Sequence, residues 1–217
     1  ENNGRIAGTG DNYIGIYVAN GTLSKNTGTI EVGNSGIGIY GSNLLSSVAP
    51  GYGTEFIEIE NTGVIKSTGT TTGSFGIYAK NSNPLVAQSN STITLGGTSD
   101  IDVSSAMGSV GVYAERSTIT GGGKVTVGEK GIGMYLGNSN VNLNGMQINL
   151  NGNDAVGINL DSSTALTGTG TFNVNGERVV LLNLNSSIPV SSYINYDGFT
   201  VAASTTSSYV GGNINNA

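Results

Sequence analysis

Cysteine and histidine are both absent from this 217-residue chain. Their absence removes thiolate and imidazole metal ligands, disulfides, thiol nucleophiles and His-based catalytic triads. A cysteine-free chain is compatible with export, but its stability must then come without disulfides. Charge is also scarce. Only 10 % of residues are Asp, Glu, Lys or Arg, and the eight basic ones are scattered singly. With a net charge of −6 and a pI near 4.4, no basic patch is available to hold nucleic acid or an anionic membrane. No apolar run reaches the length of a membrane-spanning helix, and no signal-peptide pattern opens the chain. Both ends fall within repeating sequence, so we expect a segment of something longer.

Glycine is abundant, at 36 residues, while the apolar share is 36 %. That share is low for a compact globule and would suit a disordered polar tract. The spacing of the apolar residues argues otherwise. "YIGIY" at 13–17, "GIGIY" at 36–40, "FGIY" at 75–78, "VGVY" at 110–113, "GIGMY" at 131–135 and "AVGIN" at 155–159 all place a glycine before an apolar residue and then Tyr or Asn. Taking that glycine as anchor gives Gly15, Gly38, Gly76, Gly111, Gly133 and Gly157, with Leu181 at the next equivalent position. The gaps are 23, 38, 35, 22, 24 and 24 residues. The two long gaps contain "SNLLSSVAPGYGT" at 42–54 and "NSNPLVAQSN" at 81–90. Without these insertions every repeat is close to 23 residues.

Each repeat holds three short runs of strand-forming residues linked by Gly, Asn, Ser and Thr, which tolerate tight turns. "VGVYA", "STIT" and "KVTV" are one such set. This pattern predicts an all-β fold, a right-handed parallel β-helix of about eight coils. Each coil would hold about 23 residues in three short strands, and the whole would be on the order of 40 Å long. We expect a single segment over 1–217, with corner insertions at 42–54 and 81–90 and a less regular stretch at 188–217. Strict alternation puts three first-strand columns in the interior. They are Ile14, Ile37, Phe75, Val110, Ile132, Val156 and Val180; then Ile16, Ile39, Ile77, Val112, Met134, Ile158 and Leu182; then Val18, Gly41, Ala79, Ala114, Leu136, Leu160 and Leu184. The third strands add Ile30, Ile65, Ile101, Val125, Ile148 and Phe172. The same alternation turns the glycine column outward beside the tyrosines.

The repeats "GIGIYGSN", "GSFGIYAKNS" and "GVYAERSTITGGGKVTVGEKGIGMYLGNSNVNLNG" resemble the passenger regions of type V autotransporter adhesins, most closely the large fusobacterial outer-membrane adhesins (RadD-like). The texture covers essentially the whole chain. The resemblance implies a surface-exposed adhesin segment that attaches to host-cell proteins or glycans, or to the surface of a partner bacterium. It implies a place at the bacterial cell surface, outer-membrane anchored through another region or secreted, with no membrane insertion of this segment itself.

Three sets of residues are candidate sites. Tyr17, Tyr40, Tyr78, Tyr113 and Tyr135 should form an outward aromatic ladder, continued by Asn159 and Asn183. Such a ladder either ties neighbouring strands together or offers a platform to a ligand. The insertions carry Leu44, Leu45, Val48, Pro50, Tyr52, Pro84, Leu85 and Val86, and are more apolar than the other turns. They should emerge side by side with Tyr40 and Tyr78 at their base. Long segments on a rigid scaffold are where binding usually resides. The acidic pairs Glu58 with Glu60 and Asp100 with Asp102 could mimic a carbohydrate-active site. An alternating ladder of Glu31, Lys66 and Asp102, with Asp100 beside Lys124 and Lys80 beside Glu115, explains such charges as surface pairs. Asn149 and Asn173 should form an amide ladder. We expect no catalytic residue, metal or cofactor; the calcium-binding nonapeptide pattern is missing.

Overall fold

The computed structural model describes residues 1–19, 22–43, 56–82, 91–161, 163–185 and 198–215. Twenty strands lie within them. In chain order the first eight are β1 (Arg5–Gly8), β2 (Ile14–Val18), β3 (Thr22–Asn26), β4 (Thr29–Val32), β5 (Ile37–Asn43), β6 (Ile57–Asn61), β7 (Val64–Ser67) and β8 (Phe75–Asn81). The middle of the chain supplies β9 (Ser91–Leu95), β10 (Asp100–Asp102), β11 (Val110–Glu115), β12 (Thr118–Gly121), β13 (Lys124–Val127) and β14 (Ile132–Gly137). Then come two long strands flanking a shorter one, β15 (Asn140–Leu150), β16 (Val156–Asp161) and β17 (Ala165–Val174). The last are β18 (Val179–Asn185), β19 (Phe199–Ala203) and β20 (Tyr209–Asn215).

Every strand pairing is parallel, and strands pair with the equivalent strand of the next repeat. The first strands form an eight-stranded sheet in the order β2-β5-β8-β11-β14-β16-β18-β20. The second and third strands share a twelve-stranded sheet. They merge because β15 and β17 each run through both positions, with an irregularity between Leu143 and Met146. The architecture is all-β and compatible with a parallel β-helix. "FTVAA" is the strand β19, paired to β17, whereas "YINY" at 193–196 lies outside the described residues.

Between the sheets runs one continuous apolar core. Its third-strand layer is Ile30, Ile65, Ile101, Val125, Ile148 and Phe172, all buried as expected. From the first strands, Ile39, Ile77, Val112, Met134, Ile158 and Leu182 are buried, as are Val18, Ala79, Ala114, Leu136, Leu160 and Leu184. The remaining first-strand column corrects the expectation. Ile37, Phe75, Val110, Ile132, Val156 and Val180 are only half-buried, and Ile14 is 41 % exposed.

The glycines explain the difference, and they too are corrected. Gly38, Gly76, Gly111, Gly133 and Gly157 are buried. A Cβ on Gly76 would overlap the Ile101 Cγ2 methyl and stand 2.5 Å from the Gly111 carbonyl oxygen. Gly38 meets Ile65 and Gly76 in the same way, and Gly111 meets Val125 and Gly133. The glycine therefore faces inward, and so does the residue after it. Paired positions run Ile37–Phe75, Ile39–Ile77 and Tyr40–Tyr78, passing over Gly38 and Gly76. The alternation breaks at this point, which turns the residue before the glycine outward. Only a residue without a side chain lets the third-strand layer come this close. Leu181 takes the glycine's place in β18. There the third-strand position is Val201 of β19, and it is 41 % exposed.

Buried polar ladders close the corners. Asn2 donates to Asn26 Oδ1 at 2.8 Å, Asn26 to Asn61 Oδ1 at 2.7 Å, and Asn61 to Ser99 Oγ at 2.7 Å. Asn26 and Asn61 are completely buried, so these bonds offset the penalty of withdrawing amides from water. At the corner after the first strand, the Ser117 amide donates to Ser139 Oγ and the Ser139 amide to Thr164 Oγ1. Two residues before Ile14, Ile37, Ile132, Val156 and Val180 of the first-strand column, Asn12, Ser35, Lys130, Asp154 and Arg178 all take positive φ, between 51° and 60°. One left-handed residue at that place makes the bend into each of these strands.

Candidate functional site

The outward tyrosines form one continuous stack. Ring centroids are 5.5 Å apart for Tyr17–Tyr40, 5.3 Å for Tyr40–Tyr78, 4.5 Å for Tyr78–Tyr113 and 5.2 Å for Tyr113–Tyr135. Interplanar angles are at most 12°. The strand spacing of ~4.8 Å fixes this geometry, since identical residues in register bring their rings to offset-stacking distance. Phe75, turned outward by the glycine bend, meets Tyr78 and Tyr113 edge-on at 5.4 and 6.3 Å. Burial pushes the Tyr78 and Tyr113 hydroxyls above the usual phenol range, with the Glu115 carboxylate adding to the effect. The ends of the stack are open: Tyr17 is 55 % and Tyr135 is 37 % exposed. Past Tyr135 the column continues as Asn159 and Asn183, with Asn183 donating to Asn159 Oδ1 at 2.5 Å.

Leu44, Leu45, Val48, Pro50, Tyr52, Pro84, Leu85 and Val86 lie outside the described residues. The strands that flank them are described. β5 and β8 are neighbours, paired through Ser42–Lys80 to Asn43–Asn81, where both insertions begin. β6 and β9 are neighbours too, paired from Ile57–Ser91, where both rejoin the sheet. Tyr40 stands two residues before the first insertion and Tyr78 three before the second.

Four of the acids stand beside lysines, the nearly buried Glu31 among them, while Glu58 is exposed. Lys66 Nζ is 2.9 Å from Glu31, Lys124 Nζ 2.9 Å from Asp100, Lys80 Nζ 3.1 Å from Glu115 and Lys25 Nζ 3.1 Å from Glu60. Asp102 accepts from the Ser104 amide and hydroxyl. Arg5 adds a partner the repeat pattern did not identify, 2.5 Å from Glu31. Hydrogen bonds from Arg5 and Lys66 hold the Glu31 carboxyl down at about 2. Asp154 is likewise lowered by a two-point hydrogen bond from Arg178, at 2.7 and 2.8 Å. Asn173 donates to Asn149 Oδ1 at 2.7 Å, the expected amide ladder. Among the described residues no group of three or more acids could hold a metal ion. Nor is any helix among them long and apolar enough to cross a membrane.

Two features escaped the sequence reading. The interior Asn ladder had a signal in the repeated "NTG" at 26–28 and 61–63. The other is Gly137, which occupies the column that Lys80 and Glu115 fill in other repeats and lies beside Asp161. Comparison with protein-family models, curated proteins and solved structures found no match to this chain.

Proposed function

We propose that this chain is part of the passenger of a surface-displayed bacterial adhesin. It is a right-handed parallel β-helix of about eight coils, with about 23 residues and three short strands in each. Its role is mechanical and multivalent: a stiff stalk holds binding segments away from the cell, for contact with host-cell or bacterial surface molecules. The observation that carries the reading is the registration of the two insertions. The strands that precede 42–54 and 81–90 are neighbours in register through Asn43–Asn81, and the strands that follow are neighbours in register from Ile57–Ser91. On this reading both segments belong to the corner that follows the stacked Tyr40 and Tyr78 rings. One acid of each pair, Glu60 and Asp100, stands beside a lysine and Asp102 accepts from Ser104, which favours this reading over a carbohydrate-cleaving enzyme that needs two carboxyl groups available to substrate.

Deleting 81–90 and shortening 42–54, with the β-signal in circular dichroism retained, should abolish attachment of beads coated with the chain to target cells. Unchanged attachment would mean that the chain is a spacer and that binding resides elsewhere. The stacked rings and amide ladders favour that second reading, because they account for the outward columns by structure alone.

A further inference from the structure

Gly211 in the terminal strand β20 has no neighbour to meet, and within the stacked strands of the eight-stranded sheet Gly137 is likewise not required by packing. Gly133, in the same strand, sits against the Gly157 carbonyl and the Ile148 side chain. Gly137 has no such neighbour. A Cβ there would meet only Asp161 Oδ2 and Glu115 Cγ, each at 3.7 Å, which is ordinary contact, and its φ is not positive. A glycine that nothing forces weakens its strand for no structural return. What it leaves is a notch in an outward column, between the side chains of Glu115 and Asp161.

The notch opens into a cavity of about 310 Å³ at the foot of the tyrosine stack. Tyr135 forms one wall, where the stack gives way to the smaller Asn159. The Tyr135 ring is therefore stacked on Tyr113 on one side only, and the next seat in the column holds an amide instead of a ring. The polar walls are fixed in place. Glu115 is held by the Tyr113 hydroxyl and by Lys80, both at 3.1 Å. Asp161 accepts from the Asn138 amide through both oxygens at 3.0 Å, from the Ser163 amide at 3.1 Å and from the Thr164 hydroxyl at 2.8 Å. Arg116 completes the lining. Two carboxylates stand against two cations, Lys80 and Arg116, so the site has no net charge to neutralise.

We propose that this cavity binds a neutral hexopyranose unit, its apolar face on Tyr135 and its hydroxyls directed at Glu115, Asp161 and Asn159. An exposed ring beside fixed acceptors and donors, with balanced charge, suits a flat, uncharged polyol. The volume accommodates one sugar ring. The site is separate from the insertions and does not depend on the adhesion reading.

The test is saturation-transfer NMR on the full chain with methyl glycosides of glucose, galactose, mannose and N-acetylglucosamine, and with glucuronate and glucosamine as charged controls. At least one neutral glycoside should bind with a millimolar Kd. G137T should weaken that binding at least tenfold while leaving the melting temperature unchanged or higher, because its side chain fills open space. Y135A should weaken it similarly, and Y40A should leave it unaltered. Absence of binding by all four glycosides would overturn the proposal. So would binding that survives both G137T and Y135A, or a tighter response to either charged control. Deletion of 81–90 should not change the sugar response, which separates this site from failure or success of the adhesion experiment.

Discussion

The two sheets bury the same kind of side chain and treat their outer faces in opposite ways. The eight-stranded sheet presents stacked phenol rings at centroid distances of 4.5–5.5 Å. The third-strand arm of the twelve-stranded sheet presents charges, Glu31 and Lys66 in one column and Asp100 with Lys124 in the next, from which Arg5 reaches across to Glu31. Both devices fix the register between parallel strands, which is weakly specified when neighbouring repeats are alike. Rings do so by shape and contact, so salt and pH hardly affect them. Charges do so by sign, since a one-repeat slip sets like against like, but exposed pairs contribute little energy and are screened by salt. One face is tied and the other is indexed.

The contrast extends inward. The ring-bearing sheet approaches the third-strand layer closely enough to need glycine, whereas the charged arm supplies the bulky Ile and Val that fill the gap. The sharpest way to break this is G76V. Its side chain would strike Ile101 and the Gly111 carbonyl, and backbone cannot yield as a flexible side chain can. Overpacking of this kind destabilises by about 3 kcal/mol, which should lower the melting temperature by roughly 10 °C in a chain of this size. G137T, on the same sheet but in open space, is the control and should not lower it. Equal losses for the two would refute the distinction between a glycine that packing requires and one that it does not.

Next in size is Y78A. It removes stacking on Tyr40 and Tyr113 and the edge contact with Phe75, a loss of about 1–3 kcal/mol. Y17A, at the end of the stack with one ring neighbour, should lose about half as much. Denaturant midpoints compared at low and high salt should show the same difference for both variants. A salt-dependent gap would mean that the stack acts electrostatically.

On the other sheet, N61A leaves the Asn26 amide without its acceptor and Ser99 without its donor. An unsatisfied buried group costs about 1–3 kcal/mol, so urea melts should place this variant near Y78A. Stability matching wild type would show that water replaces the ladder.

The smallest effect belongs to Glu31. Its carboxyl is depressed from 4.5 to about 2 in the folded chain, so the folded state prefers it ionised. The stabilisation is complete above the ordinary carboxylate range and is lost as pH falls through about 2. E31Q should therefore melt slightly below wild type at pH 7, and the gap should close between about pH 5 and 2. High salt should narrow it at neutral pH. A gap that stayed constant with pH would assign Glu31 a packing role.

Much of this was legible in the repeat. The spacing of "GIGIY" and its relatives gave the parallel pairing. The buried columns Ile39–Ile77–Val112 and Ile30–Ile65–Ile101, the tyrosine stack and the pairs Lys66–Glu31, Lys124–Asp100 and Lys80–Glu115 all follow from aligning repeats. Such contacts are legible because in-register parallel strands place like positions ~4.8 Å apart. The residues thought to face inward before each glycine were misplaced, because period-two alternation has no term for a local bend.

The sequence by itself determined which residues neighbour one another along the stack, since the repeat length carries that information directly. Only the tertiary structure decided what lies off those columns: that Gly76 faces Ile101, that Phe75 is turned out against the tyrosines, and that Gly137 has only ordinary contacts beside it. The Gly76–Ile101 contact joins strands of different position within a repeat, and the outward turn of Phe75 follows from the bend beside it. Their geometry depends on how sharply the corners turn and how closely the two sheets approach, and no periodicity along the chain encodes that distance.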